Sequence, residues 1–302
     1  MKYLHYAKSA YSEEQIKAKM NIEETDGVEI QLLNVVADKF WEDDWLYSIS
    51  DESRNSIRTI HMPLTTRVYK GEELQDDYGL ESKQGSVYLQ KLVDRVRILE
   101  QKTGHRIGVV VHLELADYIL KRSFVWFNEN EEYKNAWELH VSKMRDMAST
   151  YSDIDFYIEN ATLYDAPLTS IKFVKEINMA NVKACVDICH LMMCQHTARA
   201  VKDIGHPYYS LTNYFELAKD KIGLIHFCGA EDLGEGYGYG KGHGVVTRPA
   251  DTMVIYSVLN QLNINVPLVL EVKEDDYIKC INYRRQLEIC LQEESRKAIP
   301  TI

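Results

Sequence analysis

Six polar side chains stand at the ends of short apolar runs along this 302-residue chain, where buried strands are predicted to stop. They are His61, His112, Glu159, Asp187, His226 and Glu271. Imidazole and carboxylate groups together suit Zn, Mn, Co or Fe ions, which accept both nitrogen and oxygen ligands. One polar residue at a strand end is commonly a hydrogen-bonded cap. Six at consecutive strand ends favour a divalent-metal site.

Apolar runs alternate with helical patterns along the whole chain, and this alternation predicts parallel strands joined by helical crossovers. The clearest helical pattern is 86–102, and the clearest strand-type runs are 106–111 and 222–227. Eight such units in 302 residues predict an α/β protein, a (β/α)₈ TIM barrel forming one domain over residues 1–302. An open doubly wound sheet is the structural alternative. In a barrel the carboxyl ends of all strands meet at one face, so residues distant in sequence would converge.

Asp187 and His190 are three residues apart at the end of one predicted strand. Strand alternation sends residues i and i+3 to opposite faces, so both can face one cavity only if the chain turns after Asp187. A solvated turn is the alternative interpretation of this pair.

Two segments interrupt the regular alternation. The polar segment 65–85 is longer than most loops in a compact domain and is predicted to be a functional lid. Residues 234–244 have glycine at every second position and are predicted to form a mobile flap, with Tyr237 and Tyr239 as contacts. An inert flexible linker is the alternative for the second segment.

Charge and cysteine usage restrict the class of protein. The chain has 46 acidic and 35 basic side chains and a net charge of −11, which counts against a general nucleic-acid binder because phosphate contacts need a basic surface. Its six cysteines form no Cys-x-x-Cys pair, and its N-terminus shows no secretory pattern. We therefore expect a cytoplasmic protein without disulfides or membrane spans.

Four short motifs resemble those of the xylose isomerase-like TIM barrels, a superfamily that contains sugar phosphate isomerases and epimerases as well as endonuclease IV. They are Ile158-Glu159-Asn160, Asp187-Ile-Cys-His190, Ile225-His226-Phe227 and Leu270-Glu271-Val272. Val28-Glu29-Ile30 is similar to the second strand of that superfamily. The resemblance implies one divalent metal, Mn, Zn or Co, bound by Glu159, Asp187, His226 and Glu271.

Two further histidines resemble positions of the endonuclease IV branch, AP endonuclease family 2. His61 and His112 would support a second metal ion shared through Glu159. The chain departs from that branch in two places: His112 is followed by Leu-Glu-Leu instead of Pro-Gly, and Lys241-Gly-His243 matches only the last residue of an Asp-Arg-His triplet. The three-metal set is incomplete, which favours one or two ions.

The first functional hypothesis is a metal-dependent isomerase or epimerase acting on a small sugar or sugar phosphate. Proton removal α to a carbonyl needs a base, a partner acid and an electrophile. By resemblance, Glu159 and Glu271 would bind the metal and exchange protons on opposite faces of the substrate. The expected substrate-binding residues are His190, Glu29, Lys273, Trp126, Tyr237, Tyr239 and His243.

The second hypothesis is metal-dependent phosphoester hydrolysis, at abasic DNA or on a small phosphate ester, which His61 and His112 support. A dehydratase on the same scaffold is a third enzymatic alternative. The non-enzymatic alternative is an inactive barrel that serves as a binding subunit. Barrels of this kind often pair, so a homodimer stays open.

Overall fold

The structure, a computed structural model, describes most of the chain. The described residues are 4–9, 12–22, 24–32, 40, 43–63, 67–70, 73–77, 83–112, 131–160, 166–192, 210–227, 229–232, 239–245, 249–271, 282 and 285. The strands are β1 His5–Ser9, β2 Gly27–Gln31, β3 Ile57–His61, β4 Arg67–Lys70, β5 Glu73–Asp77, β6 Gly108–His112, β7 Phe156–Glu159, β8 Val182–Asp187, β9 Ile222–Phe227, β10 Gly229–Asp232, β11 Tyr239–Val245 and β12 Leu268–Leu270. The helices are α1 Glu13–Met20, α2 Asp43–Ser48, α3 Asp51–Ser56, α4 Lys83–Thr103, α5 Glu131–Thr150, α6 Ala166–Ile177, α7 Leu211–Ala218 and α8 Pro249–Gln261.

Eight parallel strands close into a barrel in the order β1-β12-β9-β8-β7-β6-β3-β2. β1 completes the closure because it pairs in parallel with both β2 and β12. Helices lie between the strands along the chain, so the fold is a (β/α)₈ TIM barrel, as the alternation of the sequence predicted.

Local sequence explains where the helices begin and which face they bury. Ser12 caps α1 by accepting the amide of Gln15, and Ser50 caps α3 by accepting the amide of Ser53. The apolar face of α4 carries residues at helical spacing that are at most 2% exposed, namely Leu89, Leu92, Val93, Val96 and Leu99. No helix among the described residues is both long enough and apolar enough to cross a lipid bilayer.

The two segments predicted to be irregular contain strands. Within 65–85, β4 and β5 form an antiparallel hairpin, and α4 begins at Lys83. Within the glycine-rich segment, β11 pairs antiparallel with β10. Ladder hydrogen bonds use only backbone groups, so neither polar nor glycine-rich composition prevents them. Part of each segment is therefore a strand and not an irregular loop, while the lid and flap roles stay predictions.

Side chains of alternate strand positions fill the barrel interior in layers. The middle layer is apolar and consists of Tyr6, Val110, Cys185, Leu224 and Val269. Below it lies the ring of Tyr157, which approaches the backbone of Gly108 so closely that a Cβ there would stand 2.3 Å from Tyr157 Cε2. The cysteines that the structure describes, Cys185 and Cys189, are buried free thiols.

Candidate active site

Each barrel strand places one polar side chain above the apolar layer, at or next to its carboxyl end. These eight residues, called here the strand-end ring, are Lys8, Glu29, His61, His112, Glu159, Asp187, His226 and Glu271. Strand register sets three pairs side by side: Lys8 with Glu29, His112 with Glu159, and Asp187 with His226. The six residues that the sequence placed at strand ends therefore lie in the same ring.

Glu159 is the centre of the first ligand group. Its Oε2 lies 2.6 Å from His112 Nε2 and 2.9 Å from His61 Nε2, and the two histidine nitrogens are 3.3 Å apart. Ligand atoms about 2.1 Å from one ion stand about 3.0–3.4 Å apart at octahedral or tetrahedral angles. The triangle is close to that size, so its donor set fits a divalent ion.

His226 connects Glu159 to a second group. Its Nδ1 lies 2.9 Å from Glu159 Oε1 and 3.0 Å from Glu271 Oε1, and its Nε2 lies 3.2 Å from Glu29 Oε1. Glu159 thus faces the first group with one oxygen and His226 with the other. Glu29, His61, His226 and Glu271 offer ligand atoms that all lie within 4.8 Å of one another.

Asp187 and His190 belong to a third group. The chain turns into a helix at 188–192 directly after Asp187, and Asp187 Oδ1 caps this helix by accepting the amide of His190 at 2.9 Å. His190 Nδ1 donates to the carbonyl oxygen of Asn160 at 2.7 Å, which leaves the lone pair of the neutral ring on Nε2. Ligand atoms of Glu159, Asp187 and His190 lie within 4.8 Å of one another.

Lys8 is the member of the ring that sequence reasoning missed. Its ammonium forms an ion pair with Glu271 Oε1, and the two side chains are 17% and 2% exposed. The first strand-type run ends beside this residue, as the other runs end beside theirs. Lysine is not a usual metal ligand, so the pattern of His, Asp and Glu at strand ends did not include it.

Charge within the ring favours ionised carboxylates. Burial raises the pKa of Glu159, but His112, His226 and His61 outweigh burial and hold the pKa well below its usual value. Burial lowers the pKa of His226, yet Cys185, Glu29, Glu271 and Glu159 raise it well above the usual value. Burial and the charge of Lys8 lower the pKa of His61 despite Glu159. Glu159 is therefore anionic, and His226 would release a proton on binding an ion.

One oxygen supports the fit with a cation independently. Glu29 Oε2 accepts the hydroxyl of Thr59 at 2.8 Å, whereas the buried Glu29 Oε1 lies 3.2 Å from His226 Nε2 and accepts no hydrogen bond from any residue that the structure describes. Burying a carboxylate oxygen without a hydrogen bond is unfavourable. A metal ion would give Glu29 Oε1 a closer partner than His226 Nε2, which lies 3.2 Å away.

The side chains of the remaining predicted contacts are not described. Lys273, Trp126 and Tyr237 lie entirely outside the described residues. Tyr239 and His243 belong to β11, but the structure describes only their backbone. Their roles in substrate binding stay predictions.

Fold and site together define a TIM barrel with histidines and carboxylates gathered at the carboxyl ends of its strands. No family sequence model matches the chain, and no curated protein matches it by sequence. Solved structures match its TIM-barrel fold, and some of them are described as xylose isomerase-like or xylose isomerase domain proteins.

Three of these structures span almost the same length as this chain. A 3-keto-D-glucoside 4-epimerase from E. coli is 13% identical, with TM-score 0.57 and coverage of 96% of this chain and 100% of that chain. A xylose isomerase domain protein from Planctomyces limnophilus is 12% identical, with TM-score 0.58 and coverage of 94% and 96%. A xylose isomerase-like TIM barrel protein from Mycobacterium smegmatis in complex with magnesium is 12% identical, with TM-score 0.53 and coverage of 95% and 96%.

Proposed function

We propose that the protein is a divalent-metal-dependent isomerase or epimerase of a small sugar or sugar phosphate. The observation that carries the proposal is the convergence of two carboxylates on one imidazole: Glu159 and Glu271 lie 2.9 and 3.0 Å from His226 Nδ1. Moving a proton beside a carbonyl requires two acid–base groups near one carbon atom. Glu159 on β7 and Glu271 after β12 come from separate arcs of the barrel, so they can approach a substrate from different sides.

The metal would be held by Glu159, Asp187, His226 and Glu271, with His61 and His112 available for a second ion. A divalent ion, Mn, Zn or Co, supplies polarisation of the substrate carbonyl when bound. Glu159 and Glu271 hold and exchange the proton, and Glu29, fixed by Thr59, orients a substrate hydroxyl. His190 is fixed by Asn160 for the same task. The fold shared with a 3-keto-D-glucoside 4-epimerase supports a sugar substrate.

Solvent exchange tests this function even while the reaction product is unidentified. The protein is incubated in D₂O with Mn²⁺ and a panel of ketoses, 3-keto sugars and their phosphates, and deuterium incorporation is followed by NMR. We expect incorporation at a carbon beside the carbonyl for one compound class, with a loss of at least a hundredfold in Glu159→Gln and in Glu271→Gln. Absence of exchange across the panel would contradict the proposal.

The second candidate function is metal-dependent phosphoester hydrolysis. It is favoured by the triangle of His61, His112 and Glu159, because a carboxylate shared between two ligand groups suits a two-metal site, which supports in-line displacement at phosphorus. Cleavage of abasic DNA or of bis(p-nitrophenyl) phosphate would establish this function in place of the first. Elemental analysis adds a second criterion: two ions per chain, one of them lost in His61→Ala, favour hydrolysis, and one ion lost only in Glu159→Ala favours the isomerase.

A further inference from the structure

Lys8 lies between two carboxylates on neighbouring strands of the closed barrel. Strand register places Lys8 beside Glu29 on β2. On the other side, the register of β1 with β12 places Lys8 next to Glu271. The ammonium of Lys8 donates to Glu271 Oε1, and the side chain of Glu271 is buried. This contact fixes the direction of a carboxylate that the proposed reaction needs.

The two carboxylates that exchange protons in the proposed function have different partners. Glu159 Oε2 lies 2.6 Å from His112 Nε2 and 2.9 Å from His61 Nε2. Glu271 Oε1 instead accepts the ammonium of Lys8. The positive charge of Lys8 also acts on Glu159, so charge alone does not distinguish the two carboxylates. The hydrogen bond does distinguish them, because the ammonium donates it to Glu271.

The hydrogen bond from Lys8 can persist when an ion is bound. Glu271 Oε1 also lies 3.0 Å from His226 Nδ1, but a histidine nitrogen that binds an ion has released its proton and cannot donate to a carboxylate. An ammonium has three N–H donors and no lone pair with which to bind the ion. A carboxylate oxygen has two lone pairs, so Oε1 can accept Lys8 and contact an ion together. Lys8 therefore keeps Glu271 oriented in the metal-loaded protein.

We propose that Lys8 positions Glu271 for proton transfer, by holding Oε1 so that Oε2 is the oxygen that carries the proton. In one direction of an epimerisation, Glu159 takes the proton from the carbon beside the carbonyl, and the C–H electron pair forms an enolate. The Oε2–H group of Glu271 gives its proton to the opposite face of the same carbon, and the electron pair of the enolate forms the new C–H bond. The two carboxylates exchange roles in the reverse direction. This inference rests on the proposed isomerase function and identifies the residue that orients one of its two acid–base groups.

Deuterium exchange of the two epimers measured separately tests this role, because each epimer loses its proton to a different carboxylate. Single epimers from the panel of ketoses, 3-keto sugars and their phosphates are incubated in D₂O with saturating Mn²⁺. Lys8→Met keeps an unbranched side chain without N–H donors. We expect it to slow interconversion at least thirtyfold in both directions. Deuterium incorporation should fall at least thirtyfold for the epimer that Glu271 deprotonates and stay within threefold for the epimer that Glu159 deprotonates.

Three further variants assign the effect to the hydrogen bond. Glu159→Asp withdraws the other carboxylate by one methylene and should slow incorporation into the epimer that Lys8→Met spares. Lys8→Gln removes the charge but keeps N–H donors, so it should restore incorporation to within tenfold of the wild type. Lys183→Met removes the same charge from the exposed start of β8 and should change neither epimer beyond twofold.

Mn²⁺ affinity provides a measurement that does not depend on turnover. By calorimetry, the dissociation constant of Lys8→Met should be no more than threefold larger than that of the wild type. A larger increase, an equal loss of incorporation from both epimers, or no loss would overturn the role of Lys8 and leave the proposed function in place. Equal losses in Lys8→Gln and Lys8→Met, or a loss on the same epimer as in Glu159→Asp, would overturn it too. Absence of incorporation by the wild type across the panel would overturn the proposed function itself.

Discussion

Asn160 and Asp187 exchange two hydrogen bonds across the ends of neighbouring strands. The amide of Asp187 donates to Asn160 Oδ1 at 2.7 Å, and Asn160 Nδ2 donates to the carbonyl oxygen of Asp187 at 3.2 Å. The backbone carbonyl of Asn160 also accepts His190 Nδ1. One buried asparagine thus fixes the place where β8 turns into a helix and where Asp187 enters the ring.

Asn160→Ala is expected to reduce both stability and metal affinity. It leaves the buried amide of Asp187 without its acceptor, so the free energy of unfolding should fall by about 2–4 kcal/mol. Movement of Asp187 should weaken Mn²⁺ binding at least tenfold. Urea unfolding of the metal-free protein and a Mn²⁺ titration measure the two effects.

Asn181 provides a matched control for this variant. Its Nδ2 donates to the carbonyl oxygens of Ala148, Tyr151 and Ile154 at the amino-terminal side of β8, away from the ring. Asn181→Ala should cost similar stability and leave Mn²⁺ affinity within twofold. Equal loss of Mn²⁺ affinity in both variants would show that Asn160 acts only through global stability.

Alternation and strand ends made the barrel and much of the ring predictable. Each apolar run indicated a strand, and parallel strands bring their carboxyl ends together, so His61, His112 and Glu159 were expected to lie near one another. Strand alternation showed that Asp187 and His190 could face one cavity only if the chain turned after Asp187, and the chain does turn there. The structure adds the cause of the turn, which is the cap that Asp187 provides.

The grouping of ring residues could not be predicted because it depends on register and side-chain direction. Glu159 faces His61 with one oxygen and His226 with the other, a relationship between strands far apart in sequence. Strand alternation places Lys8 in the ring, and no sequence motif indicates this position. The two hairpins were missed because their pairing depends on backbone groups, which leave no apolar pattern.

Mn²⁺ is expected to stabilise the folded protein through the ring. An ion that binds only the folded chain, present at about a hundred times its dissociation constant, raises the free energy of unfolding by about 2.7 kcal/mol. Glu159→Gln should abolish this increment because Glu159 belongs to two ligand groups. Glu131→Gln, on the exposed start of α5, should retain it. Thermal unfolding with and without Mn²⁺ provides the measurement, and an equal increment in both variants would exclude Glu159 as a ligand.

Gly108→Ala is expected to destabilise the opposite end of the barrel. The new Cβ would lie 2.3 and 2.9 Å from two atoms of the Tyr157 ring, so the ring or β6 must shift, at about 1–3 kcal/mol. Replacing Tyr157 by Leu in the same chain should recover part of the loss, which a double-mutant cycle by urea unfolding would detect. Mn²⁺ should still raise the free energy of unfolding of this variant, because the strand-end ring lies at the other end of the strands. Additive losses in the cycle would show that Tyr157 is not the obstacle.

Glu100 is expected to make the free energy of unfolding depend on pH, at a place away from the strand-end ring. Its Oε1 accepts the amide of Ile107 at 2.7 Å, joining the end of α4 to the segment before β6, and burial raises its pKa above the usual 4.5. A raised folded-state pKa contributes stability below the unfolded pKa, and this contribution is lost as pH rises through the folded-state value. Glu100→Gln keeps an acceptor and cannot ionise, so it should match the wild type near pH 4 and be the more stable protein at pH 7.

Glu13 is expected to change the stability with pH in the opposite direction to Glu100. Lys17 and Ser50 lower the pKa of Glu13 to about 2, so its contribution is present above pH 4.5 and is lost as pH falls toward 2. Glu13→Gln should therefore be less stable than the wild type at pH 7, and the difference should shrink as the pH approaches 2. Urea unfolding of both variants at pH 3, 4, 5.5 and 7 tests the pair. A Glu100→Gln protein that is less stable than the wild type at pH 7 would show that the bond to Ile107 needs the charge, and that burial is not the dominant effect at this carboxyl.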